Sequence, residues 1–391
     1  MSKKELDTNG LVIGLDGKRA VLNNTGLGNY SRYVVNIMSA AFPSTKFRLY
    51  SPADSDNERL RPLLGRDNVD VFVPSLSPDW GITRAFWRTF DMPLQLKRDD
   101  VAVYHGLSNE LPLTIKGVCA SVVTIHDLIW RRVPQDYSAI DRRLYDYKYR
   151  RSANVATRIV AISECTKRDL MTDYGIAEDK IDVIYQGVDP IFTLPVDTQK
   201  RADIKAKYKL PERYIISVGT VQSRKNQLLI LRALAKMPKH IHLIFVGSMS
   251  SAYASEVKNE IVRLGLSDRV IHLTDVPFID LPVLYACAEA SAYTSRYEGF
   301  GLPIVESLSV GTPVVACTGS CLEEAGGEGG VYVDPDDVDT CAAALQRLCE
   351  DIVYHDRTAR LGRQHVRRFS AENFAKATMA TYKKALISEL T

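Results

Sequence analysis

Residues 296–311 of this 391-residue chain read Arg-Tyr-Glu-Gly-Phe-Gly-Leu-Pro-Ile-Val-Glu-Ser-Leu-Ser-Val-Gly, shortly after an apolar run from Ala288 to Thr294. An apolar run of this length is typical of a buried parallel strand. Pro303 fits the first turn of a helix, where a missing N–H costs nothing, and Gly311 fits the position just after the last turn. The sequence therefore predicts a strand, a glycine-containing loop and a short helix.

Two glutamates in this stretch indicate what the loop binds. Glu298 lies in the loop and Glu306 about one turn inside the helix, and each carboxylate can accept hydrogen bonds from a pair of sugar hydroxyls. Gly299 and Gly301 allow backbone N–H groups to approach a ligand, and the N-terminus of a helix attracts phosphate. A site that binds an anion next to hydroxyl groups predicts a nucleotide sugar as its ligand.

Glu298 and Glu306 are separated by seven residues that begin Gly-Phe-Gly-Leu-Pro, and this pattern closely resembles the signature of the family 4 retaining glycosyltransferases. The resemblance covers nearly the whole chain, most firmly residues 213–335. It implies the GT-B fold, an α/β architecture in which two Rossmann-like domains face each other across a cleft. The alternative from the residues alone is a capped surface helix with two solvated glutamates.

Chain length and strand pattern both predict two domains. A chain of 391 residues exceeds one ordinary core, and its short apolar runs alternate with helical segments, as in doubly wound parallel sheets. The expected strands are 11–15, 46–50, 69–73, 101–104, 121–125, 158–162 and 181–185, then 213–219, 241–246, 270–273, 288–294, 312–317 and 330–333. With the resemblance, the expected boundaries are an acceptor-side domain at 1–190, a linker at 191–210, a nucleotide-sugar-binding domain at 211–370 and a final helix at 371–391 that returns to the first domain.

The composition is that of a soluble globular protein. Apolar residues make up 46% of the chain and charged residues 25%, and no apolar run is long enough to span a membrane. The first residues lack the hydrophobic segment of a secretion signal, and seven cysteines without a C-x-x-C pair indicate reduced thiols. We therefore expect a cytoplasmic protein. A net charge of +3 is too small to indicate nucleic-acid binding.

A Gly-x-Gly pair, Gly26 and Gly28, follows the first expected strand and precedes an amphipathic helix expected at 31–41. Ser31 stands where a nicotinamide-binding fingerprint requires a third glycine, so the pair alone indicates no more than a tight turn. The resemblance implies that this glycine loop approaches the donor phosphate or the acceptor at the cleft.

Polar residues follow several expected strands of the first domain: His105, His126 with Asp127, and Ser163 with Glu164. Ligands of doubly wound sheets bind beyond the carboxyl ends of the strands, which suggests one shared cleft. For His105 a functional and a structural role are equally open. The His-Asp pair matches the family pattern, which implies that His126 contacts the sugar or the leaving phosphate. Asp127 is then either an auxiliary base or a residue that fixes the loop.

Arg224 and Lys225 come shortly after the first strand of the second domain and directly before a helix that Asn226 can cap. When a nucleoside diphosphate leaves a sugar, negative charge develops on the phosphate, and a guanidinium with an ammonium can stabilise it. An exposed basic pair on a loop is the alternative. The family pattern Arg-Lys-Asn favours phosphate binding.

The resemblance implies further roles around the quoted stretch. Glu306 would accept hydrogen bonds from ribose hydroxyls and Glu298 from hydroxyls of the transferred sugar. The backbone of Gly299, Phe300, Gly301 and Leu302 is assigned to the sugar and phosphate, and Val276 and Pro277 to the side of the nucleobase. Because no residue is a clear covalent nucleophile, we expect same-face substitution, in which the departing phosphate oxygen helps to deprotonate the acceptor.

Two stretches of the first domain combine aromatic and basic side chains: Trp80 to Lys97, which includes Arg84, and Asp141 to Arg151. This composition suits a surface that binds lipid headgroups. A solvated helix with a tyrosine stripe against the core is the more ordinary interpretation of either stretch alone. Together they suggest peripheral membrane contact, at the inner face of the membrane, which would suit a lipid-linked saccharide acceptor.

These observations predict a retaining glycosyltransferase that moves a hexose, with a mannose-like sugar favoured, from a GDP- or UDP-linked donor to a saccharide or lipid-linked saccharide. The motifs look most like those of bacterial mannosyl- and rhamnosyltransferases of surface polysaccharide assembly. No cofactor or metal ion is expected, because arginine and lysine would serve the phosphate. Two alternatives remain, a nucleotide-sugar epimerase of the same fold and a non-catalytic two-lobed sugar-binding protein. The sequence leaves the donor, the acceptor, the linkage and the oligomeric state open.

Overall fold

The computed structural model describes residues 10–23, 25–74, 83 and 86–390. Trp80 and Arg84, which contribute to the first aromatic and basic stretch, lie outside these residues. The chain forms two compact units. The first consists of residues up to 128, residues 138–186 and residues from 371 onward, and the second consists of residues 129–137 and 187–370.

Thirteen strands occur in the described part of the chain and form two sheets, one in each unit. In the first unit they are β1 Val12–Asp16, β2 Lys46–Tyr50, β3 Val69–Phe72, β4 Val101–Gly106, β5 Ala120–Ile125, β6 Arg158–Ala161 and β7 Ile181–Val183. In the second unit they are β8 Tyr214–Val218, β9 His242–Val246, β10 Val270–Leu273, β11 Ala290–Tyr293, β12 Val314–Cys317 and β13 Gly330–Val333.

Both sheets are wholly parallel and doubly wound. The first has the order β3-β2-β1-β4-β5-β6-β7 and the second the order β10-β9-β8-β11-β12-β13. In each sheet the strand order therefore reverses once, between β1 and β4 in the first and between β8 and β11 in the second. Such reversals open a crevice at the carboxyl ends of the two strands, where ligands of this fold bind.

Sixteen α-helices connect the strands within the described residues. They are α1 Gly17–Leu22, α2 Gly26–Ala41, α3 Arg61–Leu64, α4 Met92–Arg98, α5 Ile129–Arg132, α6 Ala139–Val155, α7 Glu164–Tyr174, α8 Thr198–Tyr208, α9 Gln227–Lys236, α10 Ala252–Arg263, α11 Leu281–Ala286, α12 Leu302–Val310, α13 Leu322–Gly326, α14 Val338–Glu350, α15 Ile352–His365 and α16 Ala371–Leu390. None of these helices combines the length and apolarity that crossing a membrane requires.

The C-terminal helix α16 is part of the core of the first unit. It packs against α2 and β5, and the rings of Tyr33 and Phe374 meet edge to face with centroids 5.1 Å apart. Buried Met379 and Tyr382 continue this contact along the helix. Apolar side chains on one face of α16 therefore find their burial on the first sheet.

Residues 191–210, expected to form a linker, belong to the second unit. Phe192 is fully buried and Ile204 of α8 is nearly so, both in one core cluster with Tyr214 and Tyr285. The stretch is mostly polar, and Ile204 is the one buried residue of helix α8. Phe192 and Ile204 thus attach the stretch to the core of the second unit. Residues 129–137, expected in the first domain, also belong to the second unit.

Each of the thirteen strands occurs where the sequence predicts one, with end points that differ by at most two residues. The prediction was wrong for the segment after β1, where an additional helix forms and the next helix begins earlier than expected. Residues 17–22 form α1, with the side chain of Asp16 accepting a hydrogen bond from the backbone N–H of Lys18. Gly26 and Gly28 are in the first turn of α2, not in a loop before a helix at 31–41.

Candidate active site

The candidate site lies at the carboxyl edge of the second sheet, where the strand order reverses between β8 and β11. The loop after β8 carries Arg224 and Lys225, and the loop after β11 carries Glu298. The three residues are far apart in the sequence and meet because β8 and β11 are neighbours in the sheet. Topology alone thus brings the predicted phosphate-binding and sugar-binding residues together.

Backbone contacts fix the two loops against each other. The hydroxyl of Thr294 donates to the carbonyl oxygens of Lys225 and Asn226, each at 3.1 Å. The N–H of Arg296 donates to the carbonyl oxygen of Arg224 at 2.7 Å. These contacts hold the basic pair at a set position relative to the β11 loop, which is the rigid support that a binding site needs.

Asn226 does not cap the helix α9 with its side chain, contrary to the expectation from the sequence. It stands at the N-cap position in the left-handed conformation, with φ of 54° and no side-chain cap hydrogen bond. Its amide group donates instead to the carbonyl oxygen of Pro335 at 2.8 Å. Asparagine tolerates this backbone conformation better than most residues, so its role is to turn the chain after Lys225.

One carboxylate oxygen is the centre of the cluster. Oε1 of Glu298 accepts hydrogen bonds from Nη1 of Arg224 at 2.5 Å and from the hydroxyls of Tyr293 and Ser295, each at 2.9 Å. Nζ of Lys225 lies 3.5 Å from the same oxygen and donates to the Tyr293 hydroxyl at 3.1 Å. The side chains of Arg224, Lys225 and Glu298 are all less than one-fifth exposed.

These contacts determine the charges. Burial alone would raise the pKa of Glu298, but the charges of Lys225 and Arg224 and the hydrogen bonds from Ser295 and Tyr293 lower it to about 2. Burial lowers the pKa of Lys225, against the opposing charge of Glu298. Two cations and one carboxylate leave a net positive charge in a partly dehydrated place, which favours an anionic ligand.

Gly219, directly after β8, allows Lys225 to reach this position. A Cβ atom there would stand 2.9 Å from Nζ of Lys225, and the φ of Gly219 is +137°. L-amino acids with a side chain rarely adopt such a backbone angle. The glycine thus makes room for the ammonium group beside the sheet.

The glycine-containing stretch forms as predicted, with helix α12 between Gly301 and Gly311 and a proline in its first turn. Gly301 has φ of +97° and leaves the helix N-terminus without a side-chain cap. The Phe300 ring is buried and meets Phe369 edge to face at 5.2 Å. The Phe300 side chain is therefore not accessible to a ligand, and the backbone role assigned to Gly299, Phe300, Gly301 and Leu302 stays a prediction.

Glu306 lies inside α12 and has a different environment from Glu298. It is 8% exposed, and the Tyr285 hydroxyl donates to its Oε2 at 3.4 Å. Burial raises the pKa of Glu306 to about 7, because the Tyr285 hydrogen bond and the distant charge of Lys225 compensate only in part. The carboxylate is thus deficient in hydrogen-bond donors, which a pair of ligand hydroxyls would supply.

A row of aromatic rings connects Glu306 with the segment assigned to the nucleobase. Tyr285 contacts Phe192, and Phe192 contacts Phe278, with ring centroids 6.2 Å and 5.6 Å apart. Val276 is partly buried against the same core cluster and Pro277 is exposed at the start of a short 3₁₀ turn. Val276, Pro277 and Glu306 therefore lie on the same side of the second unit.

Four predicted residues belong to the first unit. Nε2 of His126 lies 2.9 Å from the carbonyl oxygen of Leu107, and its backbone N–H donates to Asn109 at 2.7 Å. Burial, more than the nearby charge of Arg19, lowers the pKa of His126 to about 4. The histidine is therefore neutral at pH 7, and among the described residues its Nδ1 has no hydrogen-bond partner.

Burial and, after it, the charge of Asp127 raise the pKa of Tyr149 in α6. Gly28 has a packing role, because a Cβ there would stand 1.9 Å from the carbonyl oxygen of Asn23. A Cβ on Gly26 would meet nothing within 4 Å. Of the two glycines, only Gly26 has open space beside it.

His105, for which two roles were open, is structural. It is 1% exposed, its Nδ1 lies 2.8 Å from the Tyr382 hydroxyl and its Nε2 lies 2.8 Å from the Thr124 hydroxyl. Both ring nitrogens are thus engaged inside the core. Burial lowers the pKa of His105 to about 3, so it remains uncharged at neutral pH.

Sequence analysis missed Tyr293, Ser295 and Tyr285, whose hydroxyls bind the two site glutamates. Tyr293 is the last residue of a buried strand that otherwise consists of alanine and serine, and a buried tyrosine whose hydroxyl must find a partner was the signal available there. Among the described residues, no cluster of three or more His, Cys, Asp or Glu side chains is arranged to hold a metal ion.

Comparison with known proteins identifies the family. The model described as Glycosyltransferase Family 4 matches residues 32–192, and the model described as Glycosyl transferases group 1 matches residues 199–365. The chain belongs to the family 4 glycosyltransferases. It is therefore an enzyme, a hexosyltransferase, which excludes the non-catalytic sugar-binding protein.

Several relatives are mannosyltransferases by name. The Escherichia coli O-antigen chain mannosyltransferase B is 29% identical over 286 residues, which cover 72% of this chain and 74% of the relative. The MMP alpha-(1->4)-mannosyltransferase of Mycolicibacterium hassiacum is 29% identical over 278 residues, which cover 68% of this chain and 65% of the relative. Both similarities extend over most of the present chain.

Solved structures show the same fold at lower identity. Anabaena HepE in complex with UDP and glucose is 20% identical and superposes with a TM-score of 0.73 over 96% of this chain and all of that chain. Sucrose-phosphate synthase from Thermosynechococcus elongatus is 19% identical, with a TM-score of 0.75 over 97% of this chain and all of that chain. The fold of the family 4 enzyme described here is thus the α/β fold of the GT-B glycosyltransferases.

Proposed function

We propose that this glycosyltransferase moves a mannose-like hexose from a nucleoside-diphosphate sugar to a saccharide or lipid-linked saccharide, with retention of configuration. The observation that carries the proposal is the cluster of Arg224, Lys225 and Glu298 at the reversal point of the second sheet. It provides a largely buried net positive charge beside a carboxylate, and a nucleotide sugar offers a diphosphate beside hydroxyl groups.

Arg224 and Lys225 stabilise the leaving diphosphate. Because the loop contacts of Thr294 and Arg296 fix their backbone, the two cations need little rearrangement when negative charge develops, and preorganised charges are the most effective form of electrostatic catalysis. In this proposal they do the work of a divalent metal ion, so the reaction is metal-independent and requires no cofactor.

Glu298 orients the sugar and does not attack it. One of its oxygens is engaged by Arg224, Tyr293 and Ser295, and its pKa of about 2 makes the carboxylate a weak base. Retaining glycosidases instead use a pair of carboxylates about 5 Å apart that flank the bond. We therefore favour same-face substitution, in which an oxygen of the departing phosphate takes the proton of the acceptor hydroxyl.

The second glutamate, Glu306, accepts hydrogen bonds from the ribose hydroxyls. Its carboxylate is buried with Tyr285 as its one donor among the described residues, so two hydroxyls would restore the ionised form. Val276 and Pro277 then lie beside the nucleobase. His126, held neutral by burial, contacts the sugar or the leaving phosphate through Nδ1, and Asp127 remains a candidate auxiliary base.

The relatives support the choice of donor and acceptor. The one from E. coli is named an O-antigen chain mannosyltransferase, so a mannose-like donor sugar and a growing surface polysaccharide are the favoured substrates. The nucleotide is GDP or UDP; the structurally similar HepE was solved with UDP. The protein would act in the cytoplasm, where nucleotide sugars are made.

We further propose that the first unit contacts the inner face of the membrane. Helix α6 carries exposed apolar side chains three or four residues apart and therefore on one face; they are Ile140, Leu144 and Tyr147. A second exposed apolar row lies within residues 86–94 and consists of Phe86, Phe90 and Leu94. Helix α6 also carries five basic and two acidic residues, which suits an anionic bilayer surface.

A panel of nucleotide sugars tests the donor assignment. GDP-mannose, UDP-glucose, UDP-galactose and dTDP-rhamnose are compared by thermal shift, with wild type and Lys225→Ala in parallel. We expect one donor at about 100 times its Kd to stabilise the wild type by roughly 2.7 kcal/mol and to have a much smaller effect on the variant. Equal shifts in both proteins would contradict phosphate binding by Lys225.

Product analysis with the donor that binds, with and without an acceptor extract, then distinguishes transfer from epimerisation. A transferase releases free nucleoside diphosphate when an acceptor extract is added, and the anomeric proton of the product keeps the configuration of the donor. An epimerase changes the sugar without any acceptor. An inverted anomeric centre in the product would contradict same-face substitution.

A further inference from the structure

The first unit contains a cavity of about 600 Å³ whose residues have no role in the donor site described above. It lies at the carboxyl edge of the first sheet, where Asp16 ends β1 and Glu110 follows β4. The strand order reverses between these two strands. Position and volume are those of a small-molecule site in a doubly wound sheet.

The lining carries more positive than negative charge. Arg88 is paired with Asp16 at 3.0 Å and with Glu110 at 3.1 Å, and Lys148 lies 3.3 Å from Glu110. These contacts use both carboxylates of the lining. The remaining cations are then available to a ligand that brings its own negative charge.

Three cations of the lining have no carboxylate partner among the described residues: Lys18, Arg19 and Arg151. The guanidinium of Arg151 donates to the carbonyl oxygens of Pro112 and Leu113, which leaves its charge uncompensated. Burial and the charge of Arg88 lower the pKa of Lys18, and the charges of Asp16 and Glu110 offset this only in part. A phosphate or diphosphate would relieve this excess of positive charge.

The lining also contains apolar side chains. Trp87, Met92, Leu111 and Pro112 are buried, and Leu113 and Leu144 are nearly half exposed. Helix α6 and the segment 87–92 both border the cavity. Leu144 and Tyr147 of the exposed α6 row are themselves part of the lining, so a chain anchored in a bilayer at this row would lie next to apolar lining of the cavity.

We propose that this cavity binds a phosphate ester of a long apolar chain, with Lys18, Arg19 and Arg151 at the phosphate and Leu113 and Leu144 along the chain. The inference rests on the proposed function, since it assigns the acceptor to the class of lipid-linked saccharides joined through phosphate. A free saccharide would leave the cations without partners. A free anion would leave the apolar lining without a function.

Direct binding of model compounds tests the cavity without turnover. Decyl phosphate below its micelle concentration, inorganic phosphate and decyl glucoside are titrated into the full-length protein by calorimetry. We expect decyl phosphate to bind at least 100-fold more tightly than inorganic phosphate, because each buried methylene contributes roughly fourfold. Decyl glucoside should bind at least about tenfold more weakly than decyl phosphate, since it lacks the charge.

Variants locate the binding. Lys18→Ala and Arg19→Ala should each raise the Kd for decyl phosphate about tenfold, whereas Lys46→Ala should leave this Kd unchanged. Lys46 is an exposed lysine of the same unit, at the amino end of β2 and thus at the opposite edge of the sheet. Inorganic phosphate that binds as tightly as decyl phosphate would overturn the inference, and so would equal effects of all three substitutions.

Nucleotide titrations separate this inference from the proposed function. Lys18→Ala should bind UDP and GDP as the wild type does, and Lys225→Ala should bind decyl phosphate as the wild type does. Decyl phosphate binding with no nucleotide binding would support the cavity and refute the donor site. Nucleotide binding with no decyl phosphate binding would support the donor site and refute the cavity.

Discussion

Nη1 of Arg224 and Oε1 of Glu298 lie 2.5 Å apart although 74 positions separate them in the chain. The contact joins the residue assigned to the leaving phosphate with the residue assigned to the sugar hydroxyls. Because both are held on loops that leave adjacent parallel strands, the two ends of a sugar–phosphate bond would meet a prearranged cation and a prearranged carboxylate. The site thus has its charges in place before any ligand arrives.

Replacement of Lys225 by alanine should abolish most of the turnover. The ammonium group is one of two cations at the proposed phosphate position, and loss of such a charge costs roughly 10²–10³ in kcat. The Kd for the nucleoside diphosphate should rise as well, with the circular dichroism spectrum unchanged. Lys258→Ala, at an exposed position of α10 in the same unit, is the matched control; equal kinetics for both variants would refute the assignment.

Glu298→Gln should affect turnover and nucleotide binding differently. The amide keeps the shape of the side chain but removes the charge that Arg224 and Lys225 now compensate. The cations become more available to the diphosphate, so UDP or GDP should bind equally well or more tightly, while kcat falls about 100-fold or more. Glu256→Gln, on the exposed side of α10, should behave as wild type. Weaker nucleotide binding by Glu298→Gln would contradict this account.

Glu306 should make stability depend on pH. Its pKa is about 7 in the folded protein against 4.5 for a solvated glutamate, so the folded state holds this proton more tightly than the unfolded chain. The contribution of Glu306 to the free energy of unfolding is fully present below pH 4.5. It is lost as the pH rises through 7, which lowers the free energy of unfolding by on the order of 2–4 kcal/mol.

The variant Glu306→Gln cannot titrate at this position and provides the comparison. The free energy of unfolding is measured in urea for both proteins at pH 5 and pH 8. The value for the wild type minus the value for the variant should be lower at pH 8 than at pH 5 by on the order of 2–4 kcal/mol. A difference that is the same at both pH values would show that the carboxylate is solvated in the folded protein.

Gly26 and Gly28 should respond differently to substitution by alanine. A methyl group at Gly28 would collide with the carbonyl oxygen of Asn23, so Gly28→Ala should lower stability by about 2–4 kcal/mol. Gly26→Ala meets open space and should retain the wild-type Tm. If Gly26 allows a ligand to approach the helix, Gly26→Ala will lower kcat/KM at unchanged Tm; unchanged kinetics would exclude Gly26 from the site.

Membrane contact can be measured with lipid vesicles. The double variant Phe90→Glu, Ile140→Glu places charge in both exposed apolar rows, and we expect it to lose most of its sedimentation with anionic vesicles. Val262→Glu changes an exposed apolar side chain of the second unit and should sediment as wild type. Equal sedimentation of the two variants would contradict contact through the first unit.

Much of the fold follows from local features of the sequence. Short apolar runs bounded by polar residues predict all thirteen strands, and Pro303 with Gly311 predicts the limits of α12. Both signals act within a few residues, because strand burial and helix ends depend on side chains close in sequence. The packing of residues 191–210, the expected linker, was not predictable in the same way, because burial there depends on two apolar residues, Phe192 and Ile204, among many polar ones.

The sequence by itself determined two parallel α/β sheets, a basic pair after one strand and two glutamates around a glycine-containing turn. Only the tertiary structure decided that Arg224 and Lys225 share one oxygen of Glu298, that Tyr293 and Ser295 complete its contacts, and that Glu306 is buried with a raised pKa. The reason is physical. Charge and pKa at a site depend on distances of a few ångströms between residues that strand order, and not chain position, makes neighbours.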